Sequence, residues 1–172
     1  MIPTGTIHLT SHTAPRKKRR PVRVPLLCRI HLDRDLATLQ STYVVRSRNP
    51  SGSPYPGIVK NWRRDLALAQ EDQLGREWVS KLAVEKPHSP RRIEILRRCR
   101  KKMEKDNFIG GVQAILDALK SADILSDRGN LLGRDPGWFF EDKPDYIELH
   151  AGQVVTGEKA WIELSLFGEI EK

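Results

Sequence analysis

One apolar stripe constrains the fold of this chain more than any other feature of its sequence. Within residues 107–122, which read NFIGGVQAILDALKSA, bulky apolar residues recur every three or four positions. That spacing places them on one face of an α-helix. Such a face is stable only when another layer of structure covers it. The stripe consists of Phe108, Val112, Ile115, Leu116 and Leu119.

Segments rich in β-branched and aromatic residues lie on both sides of this helix, and a second apolar periodicity predicts a helix at 61–81. The order of strands, helix, strand, helix and strands predicts an α+β (mixed α/β) fold, in which one mixed sheet packs against two main helices. We predict strands at 6–10, 22–31, 41–46, 91–99, 138–140, 146–155 and 159–167, the last two forming a hairpin through 153–158.

The length of 172 residues suits one domain, residues 1–172. Two polar segments interrupt it. Five consecutive basic residues between prolines predict an exposed basic arm at about 12–24, either a phosphate-contacting arm or a solvated loop. A glycine-rich stretch at about 127–137 predicts an inserted loop.

Composition excludes several classes of protein. The two cysteines form no CxxC pair, which argues against a zinc knuckle or a thioredoxin-type site. No run approaches the roughly 18–20 apolar residues that cross a bilayer, and the first residues lack a signal pattern. We therefore expect a cytoplasmic protein with no membrane partner and no small-molecule cofactor.

The charges are divided unequally along the chain. Residues 1–103 carry 23 Lys and Arg against 8 Asp and Glu, whereas residues 104–172 carry 7 against 14. A basic part suits a polyanion, and an acidic part can serve the same ligand if a divalent metal lies among its carboxylates. The pattern favours a metal-dependent enzyme acting on nucleic acid. A binding protein with a solvated acidic face fits it equally well.

Two carboxylates stand just before the helix, at Glu104 and Asp106. In an extended segment, residues two apart point to the same side, so both would be directed at one place. Carboxylate oxygens suit Mg²⁺ or Mn²⁺, which can activate water and stabilise charge on a phosphodiester under attack. Asp106 could instead serve only as the helix N-cap.

A polar line runs along the same helix, opposite the apolar stripe. It contains Asp106, Gly110, Gln113 and Asp117. A glycine inside a helix costs about 1 kcal/mol relative to alanine. The pair Gly110-Gly111 therefore predicts close approach to the helix backbone by a second helix of a dimer or by DNA, or else local packing of the helix against the sheet.

The stretch from Glu104-Lys105-Asp106-Asn107 to Asp117-Ala118-Leu119 resembles the core of the RusA-like family of Holliday junction resolvases. That family's pattern is D-x-D-N, an amphipathic helix with D-A-L or D-G-L, a short turn with Ala-Gly, and a pair of acids. The resemblance covers residues 91–150. It implies a homodimeric, Mg²⁺- or Mn²⁺-dependent endodeoxyribonuclease of bacterial or phage origin, which resolves four-way junctions by paired nicks in DNA recombination and repair.

The resemblance also implies roles for particular residues. Glu104 and Asp106 match the first two metal-binding acids, with Glu at the first position in place of Asp, and Gln113 stands where the family has a lysine. The later acid matches Asp142, next to Glu141, if residues 128–137 are an insertion, and otherwise Asp127. The catalytic and metal-binding set is then Glu104, Asp106 and Asp142, with Asp127 and Glu141 in reserve.

Basic residues around these acids are predicted to bind DNA, and they are Arg97, Arg98, Arg100, Lys101, Lys102 and Lys105. Contacts to the backbone and the shape of branched DNA would then dominate recognition. Two alternatives stay open: a non-catalytic basic nucleic-acid-binding protein, and a RusA-like dimer that has lost its activity.

Overall fold

A computed structural model describes residues 6–7, 24–36, 55–84 and 86–170 of the chain. The predicted strand at 41–46 lies outside these ranges, as does the basic arm up to residue 23. Among the described residues, no helix is both long enough and apolar enough to cross a membrane.

The described part of the chain is an α+β domain, which confirms the predicted fold class. It contains three helices, α1 (Tyr55–Leu74), α2 (Arg76–Leu82) and α3 (Lys105–Leu119). Its strands are β1 (Thr6–Ile7), β2 (Leu26–Leu32), β3 (Arg91–Cys99), β4 (Ala122–Leu125), β5 (Leu131–Asp135), β6 (Ile147–Val155) and β7 (Trp161–Phe167).

The helix predicted at 61–81 is longer and is interrupted. It begins at Tyr55, with Pro56 in the first turn, where a missing N–H costs nothing. It breaks at Gly75, whose φ of 82° lies in the left-handed region that favours glycine. α2 then continues to Leu82. Trp62 and Leu66 of α1 are buried, so this helix has an apolar face in the core.

The main sheet is mixed and has the order β1-β6-β3-β7-β2. The central strand β3 runs parallel to β6 and antiparallel to β7. The predicted hairpin between β6 and β7 is therefore wrong, because β3 lies between them. Their connection passes the end of β3, where the Thr156 N–H donates to the Cys99 carbonyl at 2.9 Å. Apolar alternation fixes which face a strand buries but not which neighbour it pairs with.

One face of this sheet is covered by helices. Alternate residues of β3, from Arg91 to Cys99, are buried on that face. α3 lies in the same core as the sheet, since Phe108 and Ile115 belong to one cluster with Ile93 and Leu164. α1 contacts both α3 and β2, and its Trp62 and Leu66 belong to the same core cluster. The apolar stripe is thus buried within the chain, as its spacing predicted.

A second, two-stranded sheet overlaps the segment predicted as an inserted loop at 127–137, since β5 lies within that segment and β4 precedes it. β4 and β5 pair antiparallel around a turn at residues 126–130. The predicted strand at 138–140 is reduced to one bridge, between Phe139 and Lys120. β5 carries the exposed Leu131 and Leu132 beside Gly133, so its residues show no alternation that would predict a strand.

Candidate nucleic-acid and metal site along helix α3

The predicted acids stand at the start of α3. β3 ends at Cys99 and a short loop leads to Glu104, which is the N-cap residue of α3. The Glu104 side chain forms no capping hydrogen bond, and Asp106 lies inside the first turn rather than at the cap. The two carboxylates therefore do not share the extended segment that predicted a common direction, because the helix begins at Lys105 and not at Asn107.

The charged side chains at this end of α3 are exposed and form no ion pairs with described residues. None of the charged side chains between residues 100 and 106 forms an ion pair or side-chain hydrogen bond with another described residue. Some other exposed cations are paired, such as Lys81 with Glu77 and Arg76 with Glu71, whereas Lys60, Lys86, Arg128 and Lys159 form no ion pair with described residues. The segment 100–106 differs in that four such cations lie beside two such carboxylates. Its charged residues are Arg100, Lys101, Lys102, Glu104, Lys105 and Asp106.

Arg97 does not belong to this exposed group, which corrects its predicted role as a DNA contact. It is only 4% exposed. Its guanidinium binds both carboxylate oxygens of Asp35, with Nε–Oδ1 at 2.5 Å and Nη2–Oδ2 at 2.7 Å. Hydrogen bonding to Asp35 raises the pKa of Arg97. The remaining donors reach the Lys101 carbonyl and Gln153, so the group has no free side for a phosphate.

Arg98 points to the other face of the sheet from Arg97, because successive residues of a strand alternate. It is half-buried, and its guanidinium lies 5.1 Å from the ring centroid of Trp161, the residue of β7 that pairs with it. Arg98 thus stays at the surface, next to the unpaired cations of the loop.

A second polar cluster lies farther along α3. Gln113 Nε2 donates to Asp117 Oδ1 and to Asp142 Oδ2, both at 3.3 Å. The hydroxyl of Tyr55 donates to Asp117 Oδ2. Lys120 Nζ lies 4.0 Å from Asp117 Oδ1. The side-chain amide of Gln113 thus bridges the carboxylates of Asp117 and Asp142. Gln113 is the residue that stands where the RusA-like pattern has a lysine.

The two alternatives for the later acid lie in different parts of the structure. Ser121 holds the segment before Asp142 against the end of α3, through its N–H to the Phe139 carbonyl and its Oγ to the Phe140 carbonyl, each at 3.0 Å. Asp142 reaches Gln113 from this segment. Asp127 lies in the turn between β4 and β5. Glu141 is paired with Lys143, and this bond raises the pKa of that lysine.

The three acids assigned to one metal do not converge. Asp106 and Gln113 are seven residues apart on α3, which is about 10 Å along a helix axis. Among the described residues, no three His, Cys, Asp or Glu side chains are grouped closely enough to hold a metal ion. The donors still fit Mg²⁺ in a smaller set, because this ion usually binds through one or two carboxylates, waters and phosphate oxygens. Glu104 and Asp106 supply such a pair.

Sequence reasoning missed three residues that shape this site. Asp117 was part of the polar line but was not assigned a role, although its spacing of four residues from Gln113 puts both on one side of the helix. Tyr55 lies outside the predicted helix at 61–81. Gln153 lay in a predicted strand, and no local pattern marks its contacts with a distant loop.

The surroundings of Gly111 explain why one residue of the pair Gly110-Gly111 is a glycine. Gly111 is packed against Leu36 of the same chain, so the close approach comes from a neighbouring segment and not from a second molecule or from DNA.

Comparison of the chain with protein-family models, with curated proteins and with solved structures gave no match.

Proposed function

We propose that this chain is a RusA-like, divalent-metal-dependent and structure-selective endodeoxyribonuclease that resolves Holliday junctions by paired strand nicks. One observation carries the proposal. Four exposed cations and two exposed carboxylates lie within seven consecutive residues at the start of α3, and they form no ion pairs with described residues. Opposite charges so close together and yet unpaired are available to a ligand that carries both phosphates and a metal ion.

The cations have the chemistry of a phosphate-backbone site. Arg100, Lys101, Lys102 and Lys105 offer donors that form no ion pair with described residues. Each phosphate that they neutralise releases condensed counterions, which is the main source of affinity for DNA of any sequence. A four-way junction is recognised by its shape, so contacts of this kind suit it.

The carboxylates have the chemistry of a Mg²⁺ or Mn²⁺ site. Glu104 and Asp106 would hold the ion, which when bound lowers the pKa of a water and stabilises charge on the phosphate. Gln113 holds Asp142 on the side of α3 that carries Asp106, but about 10 Å farther along the helix. Asp142 is our proposed third acid of the site, and bound DNA and metal would have to draw it towards Asp106. The side-chain amide of Gln113 keeps Asp142 and Asp117 close together despite their like charges.

We also propose that the nuclease works as a homodimer, since paired nicks in symmetry-related strands need two active sites. Sedimentation velocity at micromolar concentration should give twice the chain mass. A species of 19.7 kDa alone would contradict this part of the proposal.

A non-catalytic nucleic-acid-binding protein is the second candidate. The observation that favours it is the distance between Asp142 and the pair Glu104 and Asp106, since a binder needs the cations but no converging acids. A RusA-like dimer without activity would show the same geometry. Both would bind junction DNA without cutting it.

Nicking of a four-way junction with Mg²⁺ or Mn²⁺ tests the proposal. Asp106→Asn keeps the size of the side chain and removes the charge that a metal needs. We expect cleavage to fall by about a hundredfold or more, with junction binding retained. Asp72→Asn, an exposed acid of α1, is the matched control and should cut normally. If the native chain cuts no branched DNA with either metal, the enzyme proposal is wrong, and retained binding would favour the second candidate.

A further inference from the structure

The loop that carries the proposed site is held by one amide side chain of the sheet. Gln153 of β6 accepts a hydrogen bond from the Met103 N–H at 2.9 Å and donates from Nε2 to the Met103 carbonyl at 3.3 Å. Both backbone groups of Met103 are therefore bound by one residue. Met103 immediately precedes Glu104, so this contact fixes the chain one residue before the first acid.

Arg97 holds the same loop from the neighbouring strand. Arg97 and Gln153 are paired in the parallel register of β3 and β6. Nη1 of Arg97 donates to Gln153 Oε1 at 2.9 Å and to the Lys101 carbonyl at 3.1 Å. The two side chains together fix the backbone at residues 101 and 103, on either side of Lys102.

Asp35 completes this network and, through the neighbouring Leu36, connects it to Gly111 of α3. A buried guanidinium is stable only when a carboxylate compensates its charge, and Asp35 does so with two oxygens. Asp35 Oδ1 also accepts from the Leu36 N–H at 2.7 Å. Leu36 in turn packs against Gly111 of α3. The network thus contacts both the loop before α3 and the second turn of that helix.

We propose that Arg97 and Gln153 are positioning residues, which set the location of Glu104 and Asp106 through the backbone of residues 101–103. This inference rests on the proposed nuclease function. It adds to that site two residues that contact the backbone of the loop carrying the acids. Neither side chain touches DNA or metal in this assignment. Small displacements of reacting groups are costly, since a shift of about 1 Å can lower a rate by about a hundredfold.

Gln153→Leu is the variant that tests the proposal. It keeps approximately the size of the side chain and removes all contacts with Met103. We expect kcat for junction nicking to fall by about 10- to 100-fold. The Mn²⁺ concentration for half-maximal rate should rise by about tenfold. KM for the junction should stay within about twofold, because the phosphate-binding side chains are unchanged.

Two controls separate positioning from loss of stability. Gln70→Leu removes a comparable amide, which accepts from Trp138 Nε1 at 2.8 Å far from the loop. It should lower Tm without changing the dependence of the rate on Mn²⁺. Gln153→Glu retains acceptors for the Met103 N–H and for Arg97, so it should recover part of the lost kcat. If Gln153→Leu does not fold, Gln153→Glu and Arg97→Lys are compared with the native chain instead.

The outcomes distinguish this inference from the function on which it rests. A native chain that nicks junctions, together with a Gln153→Leu variant of unchanged Mn²⁺ dependence and kcat, overturns the positioning role and leaves the nuclease intact. The positioning role is also overturned if Gln70→Leu shifts the Mn²⁺ dependence as much as Gln153→Leu. A native chain without metal-dependent nicking overturns the nuclease, and the positioning role with it.

Discussion

Leu36 packs so closely against Gly111 that a β-carbon built on the glycine would lie 2.9 Å from the Leu36 Cβ. Contacts this short between β-carbons require the backbone to move, because a β-carbon is fixed to the main chain. The glycine in the middle of α3 is therefore explained by the packing of the chain on itself.

Gly111→Ala should lower the stability of the protein. Alanine gains about 1 kcal/mol over glycine in a helix. Overpacking of a dense core costs about 1–3 kcal/mol. Because the nearest atom is the Leu36 Cβ and not the tip of a flexible side chain, we expect the cost to prevail, with a net loss of about 1 kcal/mol. Urea unfolding measures the difference.

Gly57→Ala is the matched control for this prediction. Gly57 lies in the first turn of α1, and a β-carbon there meets no atom within 4 Å. This variant should keep or slightly raise the free energy of unfolding. If Gly111→Ala stabilises the protein as much as Gly57→Ala does, the packing between Leu36 and α3 is looser than described.

The helices and the central strands could be predicted because their signals are local. The stripe of Phe108, Ile115 and Leu119 has a helical period, and the alternation of β3 shows which residues are buried. Pairing is not a local property. Residues 146–155 and 159–167 read as a hairpin, yet β3 inserts between them, and only the three-dimensional arrangement reveals this.

The candidate site was predictable in its residue types but not in its geometry. Glu104 and Asp106 lie together with the predicted cations, because neighbours in sequence stay neighbours in space. The start of α3 at Lys105 changed the direction of Asp106 relative to Glu104. Arg97 belongs to the same basic run as Arg98, but strand alternation buries one and leaves the other at the surface. Charge alone did not distinguish them.

Asp142→Asn and Asp127→Asn should differ in their effect on cleavage. Asp142 accepts from Gln113 beside α3, whereas Asp127 lies in the turn of the small hairpin. We expect Asp142→Asn to lower junction nicking by about a hundredfold and Asp127→Asn to leave it nearly unchanged. A nicking assay with equal amounts of folded protein compares them. The reverse result would show that the alignment with a displaced acid is wrong.

The stability of the protein should decrease at alkaline pH because of Cys28. Burial raises the pKa of this thiol from 9.0 to about 12. The unfolded chain therefore loses the proton first, so the contribution of the thiol is complete below pH 9 and is lost as pH rises to about 12. Between pH 8 and 10.5 the loss amounts to roughly 2 kcal/mol.

Urea unfolding of the native chain and of Cys28→Val across this pH range checks the prediction. Valine has a similar volume and does not titrate, so the variant should lose less stability on going from pH 8 to 10.5. Equal losses in the two proteins would assign the alkaline instability to other groups.

The salt dependence of DNA binding should identify the phosphate contacts at the start of α3. Lys101 and Lys102 are exposed and form no ion pairs with described residues. Each phosphate contact contributes about 0.9 to the slope of log K against log salt. The double variant Lys101→Gln, Lys102→Gln should therefore reduce the magnitude of this slope by up to about 1.8 for a four-way junction.

The double variant Arg76→Gln, Lys81→Gln is the control. It removes the same charge at sites paired with Glu71 and Glu77, and it should leave the slope nearly unchanged. Fluorescence anisotropy from low to moderate salt measures both slopes. An equal reduction in the two variants would show that net charge, and not this loop, governs binding.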